Sequence, residues 1–196
     1  MTLQTATEMR EIPEADIQAF TQSLRGQLIR RGDPDYDEAR KVYNAMIDKH
    51  PLLIARCVDV ADVIESVNFA REHGLLLAVR SGGHNGAGLG ICDDGLVIDL
   101  SGMNSIRVDP EARTARVEAG ATLGDVDHAT HAFGLATPSG TVSLTGVGGI
   151  TLGGGVGHLT RRLGLAIDNL LEADVVLADG RFVTASAQQN PDLFWA

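Results

Sequence analysis

The chain has 196 residues, of which 44% are hydrophobic and 21% charged, the composition of an ordinary globular protein. Its 26 acidic and 16 basic residues give a formal net charge of −10, which argues against a nucleic-acid-binding protein because such a protein needs a basic face. The pair Arg161-Arg162 is too small to supply one. No apolar run approaches the roughly 20 residues of a membrane span, and the polar N-terminus without signal-peptide order predicts a cytoplasmic protein.

Residues 1–50 are predicted to form an N-terminal leader and helical segment. The polar residues 1–12 make the leader. Apolar residues at helical spacing predict a helix over 13–30. A turn at 32–34 then precedes a short helical run that Pro51 ends.

The remainder of the chain, 51–196, is predicted to mix strands, helices and hairpins. In chain order we expect a strand over 52–57, a helix from the cap Asp59 to Gly74, strands over 75–79 and 95–100, a hairpin turning at 109–112, a helix over 122–133, a helical turn over 158–164 and a hairpin turning at Asp179-Gly180. This mixture predicts an α+β fold instead of a regular doubly wound sheet. The apolar pair Phe194-Trp195 leads us to expect that the chain is the N-terminal part of a longer protein.

Glycines concentrate in two segments, 82–90 and 140–157, which predicts that the backbone approaches a ligand there. The first follows a predicted strand within the sequence RSGGHNGAG, where several backbone N–H groups can face one anion such as a pyrophosphate. His84 lies inside this loop, where its imidazole can come within bonding distance of a cofactor ring. The alternative is a loop histidine hydrogen-bonded to solvent or backbone.

The second segment carries eight glycines between 140 and 157, with aliphatic residues interleaved. A flexible linker would be rich in serine and poor in aliphatics. We therefore predict that the aliphatic side chains pack inward while the glycine backbone lines a ligand. These side chains belong to Val142, Leu144, Val147, Ile150, Leu152 and Val156.

A nicotinamide-dependent dehydrogenase with a Rossmann motif is a competing interpretation of the second segment. Gly146-x-Gly148 is followed by Thr151 where the third glycine should stand, and no clear strand leads into it. The absence of a GK[ST] triplet excludes a P-loop. A dinucleotide is therefore expected between two loops, not at one helix terminus.

The chain resembles the berberine bridge enzyme-like oxidoreductases in three motifs. They are, in order, RSGGHN after a strand, GVGGITLGGGVGHLTRRLGLAIDNLLEADVVLADG, and finally NPDLFWA. The resemblance implies a two-lobed FAD-binding domain of PCMH type, the vanillyl-alcohol oxidase type, over 51–196. It also implies an oxidoreductase that transfers a hydride from an alcohol, sugar or alkaloid-like carbon of a small molecule to FAD, with O2 as acceptor. The catalytic base is expected in the family's C-terminal part. A non-catalytic flavin- or nucleotide-binding fragment is the alternative.

The same resemblance assigns the cofactor site. It implies that His84 bonds to the 8α-methyl carbon of FAD, while the two segments hold the pyrophosphate and the isoalloxazine edge. Many relatives carry a second link from a cysteine in GxCxxVGVGG, but Val142 stands at that position and predicts a single link. The predicted cofactor-binding residues are Arg80, Ser81, Gly82, Gly83, His84, Asn85, Gly88 and Leu89 from the first segment and its flanks, and Gly140, Val142, Thr145, Gly146, Gly148, Gly149, Leu152, Gly153, Gly154 and Gly157 from the second.

Four weaker candidates remain. A disulfide between the two cysteines is disfavoured because nothing indicates secretion. Zinc binding on the 122–133 helix is disfavoured against a solvated surface. Two side chains after the second segment face either the cofactor or solvent, and an Asp-Asn pair is expected to fix the loop before the last hairpin. The residues are, in that order, Cys57 and Cys92; Asp125, Asp127, His128 and His131; His158 and Arg162; and Asp168 and Asn169.

Overall fold

A computed structural model describes residues 12–196, so the predicted leader lies, except for its last residue, outside the described residues. The helices are α1 (Glu14–Ser23), α2 (Tyr36–Ala39), α3 (Val60–His73), α4 (Leu123–His131), α5 (Val147–Leu152), α6 (Thr160–Leu163) and α7 (Pro191–Phe194). The strands are β1 (Gln27–Arg30), β2 (Leu53–Arg56), β3 (Leu77–Arg80), β4 (Leu96–Asp99), β5 (Ile106–Asp109), β6 (Thr114–Val117), β7 (Glu172–Val176) and β8 (Phe182–Ser186). A 3₁₀ turn spans Ile167–Asn169.

The central sheet has four strands in the order β1-β2-β4-β3. β1 is antiparallel to β2, whereas β2 and β3 both run parallel to β4, one on each side of it. Helix α3 connects β2 to β3, as a parallel arrangement requires. Two separate hairpins, β5–β6 and β7–β8, complete the mixed fold. The predicted mixture of strands, helices and hairpins is confirmed, and the parallel pairs are what the sequence analysis did not predict.

The central sheet is covered on both faces. Every residue of β4 is buried, and successive side chains of a strand point to opposite faces. On one face Ile98 packs with Phe20 of α1 and Phe69 of α3, whose rings stack at 4.2 Å. On the other face Val97 packs with Ile29 of β1. Burial of each such side chain stabilises the fold by about 1.5–3 kcal/mol. The sheet is therefore a stable support for the loops at the carboxyl ends of its strands.

Helices α3 and α4 both begin as the sequence predicts, and α3 also ends as predicted, whereas α4 ends at His131, two residues before the predicted end. The Asp59 side chain accepts a hydrogen bond from the N–H of Asp62, and Gly74 ends α3 with a φ of 63°. Thr122 and Asp125 form a reciprocal capping box at the start of α4. Within residues 12–196, no helix has the length and apolarity needed to cross a membrane.

The predicted helix over 13–30 is wrong in its second half. α1 ends at Ser23, Leu24 is extended, and 27–30 form β1 against β2. Full burial of Ile29 in the sheet outweighs the helical spacing of the apolar residues. The predicted helical run before Pro51 is reduced to the single turn α2, and the helix α5 inside the second glycine segment was not predicted.

Cys57 and Cys92 are free and buried, and they belong to clusters on opposite faces of the sheet. The disfavoured disulfide is therefore absent between them. Burial raises the pKa of the Cys57 thiol to about 12 and also raises the pKa of the Cys92 thiol. Both are packing residues in their protonated form.

Candidate functional site

The two glycine segments meet backbone to backbone at Gly82 and Gly146. A Cβ atom added to either residue would fall inside van der Waals distance of the other's backbone nitrogen. Next to this contact, the Ser81 hydroxyl donates a 2.5 Å hydrogen bond to the carbonyl of Ala119. The opposite backbone occupies the space that a side chain at either glycine would need, and cofactor contact of Gly82 and Gly146 through their backbone stays a prediction. The Gly82–Gly146 contact is thus what brings the two segments together.

Beyond this contact, the first segment is a loop with unused backbone donors. The N–H groups of residues 82–86 donate no hydrogen bond to any residue of the described chain. The Asn85 side chain closes the far end of the loop, because its Oδ1 accepts from the N–H groups of Ala87 at 3.1 Å and Leu89 at 3.0 Å. Gly83 has a φ of 70°, in the region that favours glycine. Consecutive free N–H groups in such a loop form the kind of concavity that binds an anion.

Helix α4 holds the second segment in place. The N–H of Leu123 donates to the Thr145 carbonyl at 2.9 Å, and the N–H of Gly124 donates to the Ser143 carbonyl at 2.9 Å. The first N–H groups of a helix have no partner within the helix. The carbonyls of the second segment satisfy these donors, so the segment has a defined position next to the first.

Three strand ends lie side by side under the first segment. Arg56 ends β2, Asp99 ends β4 and Arg80 ends β3, and the register pairs both arginines with Asp99. Asp99 Oδ2 lies 3.0 Å from a guanidinium nitrogen of Arg80 and 3.4 Å from Nε of Arg56. Burial raises the pKa of the Asp99 carboxyl, but the charge of Arg80 and hydrogen bonds from Arg80 and Ser101 lower it by more. The net pKa is below its ordinary value, so Asp99 remains charged and pairs with both arginines.

A cleft of about 430 Å³ opens at this edge of the sheet. Its lining includes three cationic side chains, Lys41, Arg56 and Arg80, and two carboxylates, Glu38 and Asp99. Lys41 pairs with Glu38, and the five side chains together carry one net positive charge, in a chain whose net charge is −10. Parallel sheets bind ligands at the carboxyl ends of their strands, which is where this cleft lies.

His84 forms part of the cleft wall. Its imidazole stacks on the ring of Tyr43, with centroids 4.2 Å apart and an interplanar angle of 17°. The N–H of Tyr43 donates to the Gly83 carbonyl at 3.1 Å, which holds the two residues in register. Neither ring nitrogen of His84 hydrogen-bonds to the backbone or a side chain within 12–196, so the alternative of a backbone-bonded loop histidine finds no support there.

The remaining predicted residues of the first segment have structural partners of their own. The Arg80 guanidinium is buried and also donates to the carbonyls of Ala39 at 2.7 Å and Lys41 at 3.2 Å. Gly88 packs against Ile47, and Leu89 is exposed outside the cleft lining. A direct contact of Arg80, Gly88 or Leu89 with a cofactor stays a prediction.

The prediction that the aliphatic side chains of the second segment pack inward is wrong for Val142, Leu144, Leu152 and Val156, which are exposed. Glycine backbone, not these side chains, packs on the protein: a Cβ on Gly140 would meet Ile150, and a Cβ on Gly157 would meet the Ser139 carbonyl. Within this segment, only Gly149 has nothing within 4 Å of an added Cβ, and only Leu144 lines the cleft. Cofactor contact stays a prediction for Gly140, Val142, Thr145, Gly148, Gly149, Leu152, Gly153, Gly154 and Gly157.

The side chains on α4 and after the second segment lie away from the cleft. Asp125 belongs to the capping box of α4, and within the described 12–196 no three histidine, cysteine or acidic side chains gather as a metal site. His158 and Arg162 are exposed outside the cleft lining. The prediction for Asp168 and Asn169 is confirmed: Asp168 accepts from the N–H of Leu165, and Asn169 donates to two carbonyls of the same loop.

The sequence analysis missed Lys41, Tyr43, Arg56, Asp99 and Ser101 of the cleft. Three of them end or follow strands that were predicted, and a parallel pairing of those strands would have placed them at one edge. Nothing in the sequence around 40–47 signals the other two, because that segment lacks regular secondary structure after α2.

Comparisons with known proteins agree with this geometry. Residues 51–186 match the family described as FAD binding domain. The chain is 41% identical over 174 residues to (R)-6-hydroxynicotine oxidase of Paenarthrobacter nicotinovorans, covering 89% of this chain and 38% of that protein. It is 42% identical over 181 residues to an FAD-linked oxidoreductase of Dictyostelium discoideum, covering 92% of this chain and 40% of that protein. The chain thus spans about two-fifths of the length of these relatives.

Solved structures show the same fold. A variant of BBE-like 1 from Physcomitrella patens superposes with a TM-score of 0.87 at 34% identity, covering 92% of this chain and 40% of that one. Xylooligosaccharide oxidase from Myceliophthora thermophila superposes with a TM-score of 0.84 at 35% identity, covering 93% of this chain and 39% of that one. The predicted resemblance to berberine bridge enzyme-like flavoproteins and the PCMH-type fold are confirmed.

We expect Gly146→Ala to destabilise the protein by about 2 kcal/mol or more, because the new Cβ forces the two segments apart. The urea midpoint of unfolding measures this. Gly149→Ala is the matched control, since its Cβ meets nothing and alanine favours helix α5. Equal midpoints for the two variants would contradict the role given to the Gly82–Gly146 contact.

Asp99→Asn is expected to cost about 3 kcal/mol near neutral pH, because it leaves Arg80 buried without its carboxylate. The pKa of Asp99 is depressed in the fold, so its contribution is present above its unfolded pKa of about 3.9 and is lost as the pH falls through the lower folded value. The stability difference from wild type should shrink below about pH 4 in urea titrations. Asp127→Asn, an exposed change on α4, serves as control, and a pH-independent difference for Asp99→Asn would refute the pairing.

Proposed function

The chain belongs to the FAD binding domain family, and on that premise we propose that it is the FAD-binding part of an oxidoreductase whose cofactor is attached through His84. The observation that carries the proposal is the loop after β3. His84 lies within the run 82–86, whose N–H groups donate to no residue of the described chain, and both ring nitrogens of His84 also lack partners there. A loop of this kind offers an anion site and a free nucleophile at one place.

The residues of the cleft fit a dinucleotide with a diphosphate. The N–H groups of 83–86 and the cation Arg56 complement its negative charge, while Lys41 is already paired with Glu38. Ser101 adds a hydroxyl group to the same lining, whereas the hydroxyl of Ser81 donates to the Ala119 carbonyl. The open space beside Gly149 lets the cofactor lie along the second segment without a side chain in the way. Each feature supports FAD between the two segments.

Attachment through His84 is a bond from an imidazole nitrogen to the 8α carbon of FAD. One C–H bond of the methyl group and the N–H bond of His84 break, and one C–N bond forms. The two electrons and two protons released pass to dioxygen, which becomes hydrogen peroxide. Val142 is half exposed and has no nucleophile, which supports a single link. Bound there, FAD supplies the acceptor for a hydride from the substrate.

The substrate we propose is a small molecule with an oxidisable alcohol, sugar or alkaloid-like carbon, and the proposed acceptor is O2. The names of the relatives support this range, because they include an oxidase of 6-hydroxynicotine and an oxidase of xylooligosaccharides. The cytoplasmic location stays a prediction from the N-terminal sequence.

Acid precipitation of the whole protein tests the attachment. We expect the yellow colour to stay with the polypeptide and the intact mass to rise by one FAD, whereas His84→Ala should release all flavin into the supernatant. His158→Ala, an exposed histidine outside the cleft, is the matched control and should keep the link. Free flavin from wild-type protein would contradict the covalent proposal and leave FAD binding itself intact.

Anaerobic mixing with candidate substrates tests the oxidoreductase function. We expect 6-hydroxynicotine or an oligosaccharide to bleach the flavin absorbance of the whole protein, and air to restore it with formation of hydrogen peroxide. Flavin that no alcohol, sugar or alkaloid reduces would favour the alternative of a non-catalytic flavin-binding protein. Bleaching without recovery in air would exclude O2 as the acceptor.

A further inference from the structure

Tyr43 has a feature that packing within residues 12–196 does not explain. Its side chain is 69% exposed, although it is a large aromatic ring, and the ring stacks on the imidazole of His84. An exposed ring removes little apolar area from water and therefore adds little to stability. We propose that Tyr43 is a positioning residue that sets the orientation of the His84 imidazole for attachment to FAD. This inference rests on the proposed covalent function.

The backbone on either side of Tyr43 is held firmly, so the ring has a defined place. Arg80 donates to the Ala39 carbonyl at 2.7 Å, which ties the start of the 39–49 segment to the sheet edge. Lys49 Nζ donates to the carbonyls of Gly88 at 3.0 Å and Ile91 at 3.1 Å, which ties its end to the far side of the glycine loop. The 39–49 segment thus spans the loop that carries His84 and is fixed at both ends.

The imidazole depends on this ring because little else orients it. No hydrogen bond from the described chain reaches either nitrogen of His84, and the neighbours in sequence are Gly83 and Asn85, which put no bulky wall beside it. Stacking at 4.2 Å fixes the plane of the imidazole and leaves both nitrogens open at its edge. As the C–N bond to the 8α carbon forms, positive charge develops on the imidazole until its N–H proton leaves. The face of an aromatic ring stabilises such a charge.

The test measures how fast FAD becomes attached. The whole protein, prepared without FAD, is mixed with FAD under air, which supplies the dioxygen that takes up the two electrons. Samples are precipitated in acid at intervals, and the flavin in the pellet is quantified. We expect Tyr43→Leu to slow attachment about tenfold or more, while Tyr43→Phe, which keeps the ring, stays within about twofold of wild type.

Two controls separate positioning from a structural effect. Met46→Ala changes a side chain that is 91% exposed in the same segment, and it should attach FAD at the wild-type rate. The dissociation constant for FAD before attachment, measured from quenching of flavin fluorescence, should be unchanged in Tyr43→Leu because the loop donors remain.

The outcomes distinguish this inference from the proposed function. Attachment of FAD to Tyr43→Leu at the wild-type rate would overturn the positioning role alone. A Tyr43→Phe variant as slow as Tyr43→Leu would also overturn it, since the stacked ring would then not be the cause. No attachment in wild-type protein would refute the covalent link itself and the positioning role with it.

Discussion

The site depends on a contact between two stretches of backbone. Gly82 and Gly146 approach so closely that neither has space for a Cβ atom, and the loop that carries His84 and the segment that follows α4 meet there. Each side is fixed independently: the first segment continues β3, and the second is bonded to the start of α4. The contact therefore joins two rigid parts of the fold, and the cleft beside it takes its shape from both.

The basic side chains of the cleft gather in a protein whose net charge is negative. The chain is acidic, yet Lys41, Arg56 and Arg80 converge on one cleft. Asp99 is a buried carboxylate between two arginines at the strand ends. Its charge offsets the free-energy cost of burying the Arg80 guanidinium. Lys41 is paired with Glu38, so what remains for a ligand is the positive charge of the partly exposed Arg56. The sign of a whole chain therefore excludes partners that need large surfaces, but it says little about a single cleft.

Short sequence patterns correctly predicted those parts of the fold that neighbouring residues determine. The caps at Asp59 and Thr122, the hairpin at Asp179-Gly180 and the two glycine segments are short-range patterns, and the structure contains all of them. The strand β1 and the exposed aliphatic side chains of the second segment were missed because long-range pairing and glycine packing outweighed local periodicity. Of the site, the motif predicted the loop and His84, whereas Tyr43 and Arg56 depend on how distant segments meet.

The pairing of β1 with β2 bears on where this protein can be divided. The family match begins at residue 51, but the sheet begins at Gln27, and Ile29 covers part of the face that holds Val97. A piece starting at residue 51 would expose the unpaired edge of β2 together with apolar side chains. An open strand edge of that kind pairs with other chains, so the shortened piece would self-associate in solution.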